Sequence, residues 1–366
     1  MPTETSEPKT PITQLSRAEL ESVVAGWGER PFRVKQILKW VYEKRIGSFA
    51  EMTDLSPSLR EALAVNYSLR EMELVRRQGS EDTTQKLLFR LSDRRLIECV
   101  LIPASVSFNG KRSDRQTLCV SSQVGCAYDC KFCASGLAGF TRNLTSSEIV
   151  EQVMQTEALS GKRVDNLVFM GMGEPLANLT NLLRAVEIIN EPWGIGIGAR
   201  HLTVSTSGLA PQIMKLADQP LQLRLAVSLH GATDDVRDRI MPVNRKYPLE
   251  RLFEALQYHR EKKKQRITFE YILIEDVNDG LDQAQVLAER AKLVNAKVNL
   301  IPYNTVEGLP WKRPSEVHQD AFLAVLKKAG CVVTLRREKG HDIEAACGQL
   351  RLQEEAKLTD LSPQSL

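Results

Sequence analysis

Long apolar runs are missing from this chain of 366 residues. No stretch approaches the ~20 residues needed to span a bilayer, which sets membrane insertion aside. An apolar leader is missing too, since the chain begins with the polar segment Met1-Pro2-Thr3-Glu4-Thr5. A cytoplasmic location is therefore expected, with the seven cysteines reduced by default. Neither sign of charge dominates: 49 Lys and Arg stand against 46 Asp and Glu, a net of +3. That balance permits nucleic-acid binding without demonstrating it. No internal repeat or low-complexity block stands out.

What the chain does have is Gly125-Cys126-Ala127-Tyr128-Asp129-Cys130-Lys131-Phe132-Cys133, three thiols spaced C-x3-C-x2-C. Thiolates are soft ligands that select iron–sulfur clusters, zinc or cuprous ions. A closed structural zinc site wants four ligands, and no histidine lies between Cys133 and His201 to complete one. A four-iron cluster held by three cysteines leaves one iron open to chelate a substrate. The loop therefore favours a reactive cluster over a zinc knuckle or three buried thiols.

With 42% hydrophobic and 26% charged residues, the chain can bury a core and stay soluble. Its length suits one α/β barrel plus a small accessory module. Residues up to about Thr13 are polar and expected to be disordered. From Pro31, the residues Val34, Ile37, Leu38 and Val41 follow i, i+3, i+4, i+7 spacing, with Arg33, Lys35, Lys39, Lys44 and Arg45 elsewhere on the surface. A further short helix is expected from Leu55 to Val65. This is a small helical module with a positive face, for which a solvated helix surface is the plainer explanation. Strands are expected at 71–77, 86–91 and 95–102. The polar loop from Pro103 to Arg115 is expected to be mobile, and the tail from Leu352 onward to be loose.

Beyond that loop, strand-like runs at 117–121, 166–170, 201–206, 223–229, 267–274, 298–302 and 331–335 alternate with helical runs at 146–159, 178–189, 210–216, 249–261, 282–292 and 316–329. Alternating β and α units predict a parallel sheet with right-handed crossovers. About six units fit a partial barrel better than a closed one. Thr145-Ser146-Ser147-Glu148 has capping-box spacing at the first of these helices.

Ligands bind at the carboxyl ends of such strands, and unusual residues fall there. Asn166–Met170 runs into Gly171-Met172-Gly173-Glu174-Pro175, where two glycines would let a ligand approach the backbone and Glu174 can accept from a substrate ammonium. Other ends carry Ser205-Thr206-Ser207-Gly208, Ser228-Leu229-His230-Gly231 and Tyr303-Asn304. Each alone has a dull explanation in a turn, a cap or a structural histidine. Four together, beside the cysteine loop, favour a zwitterion and ribose pocket. Cys119 lies seven residues before Cys126, on a strand face that alternation does not settle, and Cys347 lies far along the chain. Cys99 and Cys331 sit inside apolar runs and are expected to be buried packing thiols.

Phe169-Met170-Gly171-Met172-Gly173-Glu174-Pro175, Leu118-Cys119-Val120-Ser121-Ser122-Gln123-Val124-Gly125-Cys126 and Ala345-Ala346-Cys347-Gly348-Gln349-Leu350 together resemble the RlmN/Cfr family of radical S-adenosylmethionine (SAM) RNA adenine methyltransferases. The likeness runs from about Pro31 to Leu350. It is nearer the RlmN branch, which methylates carbon 2, than the Cfr branch, which methylates carbon 8. It implies an α/β fold, a partial (βα)6-type radical-SAM barrel over 95–350. A small N-terminal helical accessory domain over 1–94 would dock RNA, and a loose tail would follow over 351–366. It also implies one 4Fe-4S cluster on Cys126, Cys130 and Cys133, with SAM contacts at Gly173, Glu174, Ser205, Ser228, Leu229, His230 and Asn304.

Carbon 2 of adenine lies between two electron-withdrawing nitrogens, so it is too poor a nucleophile to displace a methyl group from the SAM sulfonium. A thiolate can do so. By resemblance, Cys347 takes that methyl group and becomes S-methylcysteine. A second SAM yields a deoxyadenosyl radical, which abstracts hydrogen from the methyl group, and the carbon radical adds to the ring. Glu98 is then the base that removes the ring proton. Cys119 is the thiol that releases the RNA by forming a disulfide with Cys347. The implied partners are large-subunit rRNA and tRNA, each presenting an unstacked adenine in a loop, and an electron donor such as a flavodoxin-type protein. The competing readings are a carbon-8 methyltransferase, another radical-SAM enzyme and a noncatalytic iron–sulfur RNA-binding protein. The pairing of Cys119 with Cys347 favours catalysis, since a structural cluster needs neither.

Overall fold

The computed structural model describes residues 9–79, 83–104, 114–137, 139–306, 308–336, 351 and 354. Near its start Thr10–Pro11 (β1) pairs in parallel with Tyr67–Ser68 (β2), bracketing the helices Arg17–Gly26 (α1), Phe32–Leu38 (α2) and Pro57–Asn66 (α3). The disorder expected up to Thr13 does not extend that far. Ile12 and Thr13 are buried, and the Thr13 hydroxyl shares a hydrogen bond with that of Ser147 in the barrel. Helix α1 was not anticipated, although Ser16 and Glu19 form a full capping box at its start.

Val34, Ile37, Leu38 and Val41 are all buried, as their spacing requires. The positive face is smaller than the sequence suggests. Arg33 is spent on Gln36 and the carbonyl of Asp54, and Arg45 pairs with Glu157. Lys35, Lys39 and Lys44 remain exposed.

Glu73–Gln78 (β3), Gln85–Arg90 (β4) and Leu96–Pro103 (β5) form an antiparallel run that joins the edge of Gln116–Cys119 (β6). A small hairpin of Gln123–Gly125 (β7) and Phe140–Asn143 (β8) encloses the cysteine loop and the short helix Ala134–Leu137 (α4). The predicted alternation follows. Ser146–Ser160 (α5) leads to Asn166–Phe169 (β9), Leu179–Asn190 (α6) to Leu202–Thr206 (β10), and Ala210–Ala217 (α7) to Arg224–Ser228 (β11). Asp234–Ile240 (α8) and Leu249–Lys263 (α9) lead to Thr268–Leu273 (β12), Leu281–Leu293 (α10) to Lys297–Pro302 (β13), and Glu316–Lys328 (α11) to Val333–Leu335 (β14).

Apart from the pairs β1-β2 and β7-β8, the strands form one sheet of order β14-β13-β12-β11-β10-β9-β6-β5-β4-β3, parallel from β6 to β14. Six βα units close around an apolar interior but do not meet, because β14 and β3 are separate edges. This is the partial barrel, mixed α/β in class. Helix α5 begins at Thr145, which makes the predicted capping box with Glu148. Helix α8, inserted between β11 and α9, has no counterpart in the sequence reading.

Cys99 is buried, its sulfur 3.4 Å from the Thr156 hydroxyl on α5. Cys331 departs from expectation. It is half-buried in the turn between α11 and β14, because Gly330 at φ +77° ends the helix before the strand begins. The centre of the Pro103–Arg115 loop lies outside the described residues, and its ends are joined by a 2.8 Å bond from the Ala104 N–H to the Arg115 carbonyl. Most of the C-terminal tail also lies outside them, but Glu354 pairs with Arg76 on β3. Among the described residues, no helix is long and apolar enough to cross a membrane.

Candidate active site

The carboxyl ends of β9 to β13 open onto a cavity of about 400 Å³. Cys126, Cys130 and Cys133 line it, and so do Gly173, Glu174, Ser205, Ser228, His230 and Asn304. These residues come from the ends of four strands, β9, β10, β11 and β13, and from one loop, and they converge as strand-end placement predicts. Leu229 is the exception. Its neighbours Ser228 and His230 face the cavity, so alternation turns the Leu229 side chain into the core, where it is fully buried.

The cysteine loop is held by its own backbone. Gly125 has φ +77°, and a Cβ there would lie 1.8 Å from the Gly139 carbonyl, which accepts the Cys126 N–H at 2.9 Å. The Lys131 N–H donates to Ile240 at 2.9 Å, and the Trp311 indole donates to the Lys131 carbonyl at 2.7 Å. Burial pushes the Cys126 thiol up to about 12, and Cys133 and Glu174 push the same way. Burial and the neighbouring cysteines raise Cys130 well above its ordinary value, and Arg237 opposes them. Three half-buried soft donors on one loop, all lining the cavity, fit an iron–sulfur centre. Among the described residues, no group of three or more His, Cys, Asp or Glu side chains is placed to hold a single metal ion.

Glu174 is held at both oxygens. Oε1 accepts from Leu176 at 3.0 Å and Oε2 from Ser207 at 2.6 Å, while its own N–H donates to Gln123 at 2.8 Å. Burial pushes its carboxyl up, and these hydrogen bonds pull it back down. The two glycines before it line the cavity and are also closely packed from behind. A Cβ on Gly171 would lie 2.7 Å from the Val120 carbonyl, and one on Gly173, at φ +95°, 2.5 Å from the Gln123 Cβ.

His230 has φ +53° and packs edge-on against Phe132, ring centroids 4.8 Å apart. The Ile272 N–H donates to its Nδ1 at 3.0 Å, which leaves the proton on Nε2 as the remaining donor. Burial, helped by Arg237, lowers its pKa to about 3, so the ring is neutral in solution near pH 7.

Arg237 on α8 was not foreseen. It is fully buried, donating from Nε to the Leu229 carbonyl at 3.1 Å, from one Nη to Asn244 at 2.8 Å and from the other to the Ser207 carbonyl. It thereby fixes the ends of β10 and β11 to each other. Its sequence context, Asp234-Asp235-Val236-Arg237-Asp238-Arg239, reads as a solvated charge run, so nothing flagged it. Glu270 on β12 also lines the cavity and was missed. A lone carboxylate inside the apolar run of a parallel strand was the available signal.

Glu98 on β5 is buried and is not the outward carboxylate that strand position alone would allow. Cys99 faces α5, so Glu98 faces the other side of the sheet, as does Val100. Val100 pairs directly with Cys119 on β6, which puts Glu98 and Cys119 on one face of adjacent strands. Oε1 of Glu98 accepts the N–H of Arg351. Cys347 lies outside the described residues, and among those residues no disulfide joins two cysteines.

Comparison with known proteins agrees with this geometry. A family model described as "Radical SAM superfamily" matches residues 120–284, and one described as "Ribosomal RNA large subunit methyltransferase N-terminal domain" matches residues 10–69. The chain is 54% identical, over 94% of its length and 96% of the relative's, to a probable dual-specificity RNA methyltransferase RlmN of Akkermansia muciniphila. It is 44% identical to a protein of the same description from Geobacillus kaustophilus, covering 97% of this chain and 96% of that protein. A crystal structure of a radical SAM methyltransferase from Sphaerobacter thermophilus superposes with a TM-score of 0.86 at 41% identity, covering 93% of this chain and 98% of that one.

Proposed function

Because the chain belongs to the RlmN family of dual-specificity RNA methyltransferases, within the radical-SAM superfamily, we propose that it methylates carbon 2 of adenine in large-subunit rRNA and in tRNA. The observation that carries this reading is the single cavity in which three clustered thiols meet Glu174, Ser205, Ser228, His230 and Asn304. Cys126, Cys130 and Cys133 would hold one 4Fe-4S cluster, which when bound supplies the electron that cleaves SAM to a carbon radical.

The chain's own residues do the rest. Glu174, its two oxygens fixed by backbone N–H groups, retains lone pairs to accept from the SAM ammonium. His230 presents Nε2–H, and Ser205, Ser228 and Asn304 supply further polar contacts. The thiolate of Cys347 takes a methyl group from the sulfonium of SAM, forming the S–C bond as S-adenosylhomocysteine leaves. Glu98 takes the ring proton of the adenine. Once the Cys347 methyl carbon is joined to the ring, Cys119 attacks the Cys347 sulfur: the S–S bond forms, the S–C bond breaks, and the freed carbon takes a proton to become the new methyl group.

Supporting these last roles, Glu98 and Cys119 share one sheet face, and Arg351, four residues after Cys347, rests on Glu98. Residues 1–94 act as the RNA-docking module through Lys35, Lys39 and Lys44, residues 95–350 are the catalytic barrel, and 351–366 form the tail. The substrates place the enzyme in the cytoplasm, with a flavodoxin-type protein as electron donor. Protein loaded anaerobically with iron and sulfide, then given reductant and SAM, should release 5′-deoxyadenosine, and Cys126→Ala should not. Intact SAM in the unaltered protein would overturn the reading.

A further inference from the structure

Glu270 occupies the middle of a polar row that crosses the barrel wall. It stands in register between Ser228 on β11 and Asn299 on β13. The side chain is 6% exposed and lines the cavity. Oε1 accepts from the Asn299 amide at 2.9 Å, whereas Oε2 is buried with no hydrogen-bond partner among the described residues. A buried acceptor without a donor is costly to maintain, so this oxygen needs one.

Two carboxylates line the cavity, and they stand at different places in it. Glu174 is at the cysteine end, where its charge acts on Cys126 and Cys130. The charges that act on Glu270 come instead from Arg336 and Lys297. A SAM molecule whose methionine end lies beside the cysteines and Glu174 must therefore extend its nucleoside along the wall of β11 to β13. The ammonium already has its acceptor there in Glu174. Arg336 also lines the cavity and acts on Glu270 through its charge, but it makes no hydrogen bond to Oε2, and a strand-borne carboxylate reading a ribose hydroxyl is a recurring solution in α/β folds.

We propose that Glu270 is a binding residue for the ribose of SAM, its Oε2 accepting a hydrogen bond from a sugar hydroxyl while Asn299 holds Oε1. This rests on the reading that SAM occupies the cavity. Glu270→Gln is the decisive variant. It keeps the shape and the Asn299 bond but replaces the acceptor Oε2 by a donating NH2 group.

The probes are S-adenosylhomocysteine and its 2′-deoxy and 3′-deoxy derivatives, measured by calorimetry on cluster-loaded protein. The unaltered protein should bind the parent about tenfold or more tighter than one deoxy derivative, the worth of a hydrogen bond to a charged group. Glu270→Gln should bind all three within about twofold of one another. Without ligand it should melt no lower than the unaltered protein, since a buried charge has been removed. Unaltered protein that does not discriminate among the three overturns the proposal, and so does a variant that still does. A variant that loses affinity but keeps its discrimination places Glu270 on another part of the nucleoside, which also overturns it. If the unaltered protein binds none of the three, the SAM reading itself falls, a result separable from all the others.

Discussion

The backbone N–H of Arg351 donates to Oε1 of Glu98, tying the chain four residues beyond Cys347 to the strand that pairs with Cys119. A carboxylate used in this way could be a mere anchor, and substitution separates the two roles. Glu98→Gln keeps an oxygen for Arg351 but cannot take a proton. It should therefore lower methylated RNA by about a hundredfold or more while 5′-deoxyadenosine is still formed. Equal loss of both products, read by mass spectrometry, would make Glu98 structural.

The two thiols assigned to methyl transfer should fail differently. Cys347→Ala should abolish RNA methylation but leave SAM cleavage running. Cys119→Ala should accumulate a covalent RNA–protein adduct, visible as a shifted band on a denaturing gel. Clean product release by the second variant would contradict its assigned role.

Gly125 and Gly173 both sit at positive φ with no room for a side chain, the nearest atoms being the Gly139 carbonyl at 1.8 Å and the Gln123 Cβ at 2.5 Å. Gly125→Ala should destabilise the protein by several kcal/mol and reduce iron bound per chain, because the cysteine loop must move. Gly173→Ala should cost less, since the Gln123 side chain can give. Iron content and melting temperature test both.

Acid should weaken the fold in a defined window. His259 is fully buried and its pKa is lowered from 6.5 to about 4, by burial first and then by Lys263. Between these values the unfolded chain binds a proton that the folded chain refuses. The stability tied to His259 is thus complete above about pH 6.5 and drains away as the pH falls towards 4, with a slope of up to about 1.4 kcal/mol per unit. His230 adds to the same trend. Urea melts at pH 5 and 7 should differ less for His259→Leu than for the unaltered chain.

Much of this was legible in the residues. Seven parallel strands, the Thr145 cap and the cavity-lining set, Leu229 apart, follow from periodicity and from small polar residues at strand ends. The antiparallel extension by β3 to β5 was harder, because its strands were visible but their attachment to β6 is a long-range pairing. Arg237 was hidden because a buried arginine and a solvated one look alike in a charged helix. Glycines 171 and 173 stand at a strand end and line the cavity, but their close packing against Val120 and Gln123 is a tertiary contact that the sequence does not show. Helix α1 was overlooked despite its Ser16-Arg17-Ala18-Glu19 signature.

The most direct measurement is the modified nucleoside itself. Cluster-loaded protein, reductant, SAM and unmodified large-subunit rRNA should yield 2-methyladenosine after digestion and mass spectrometry. Recovery of 8-methyladenosine, or of no methylated adenosine while 5′-deoxyadenosine accumulates, would contradict the proposed reaction.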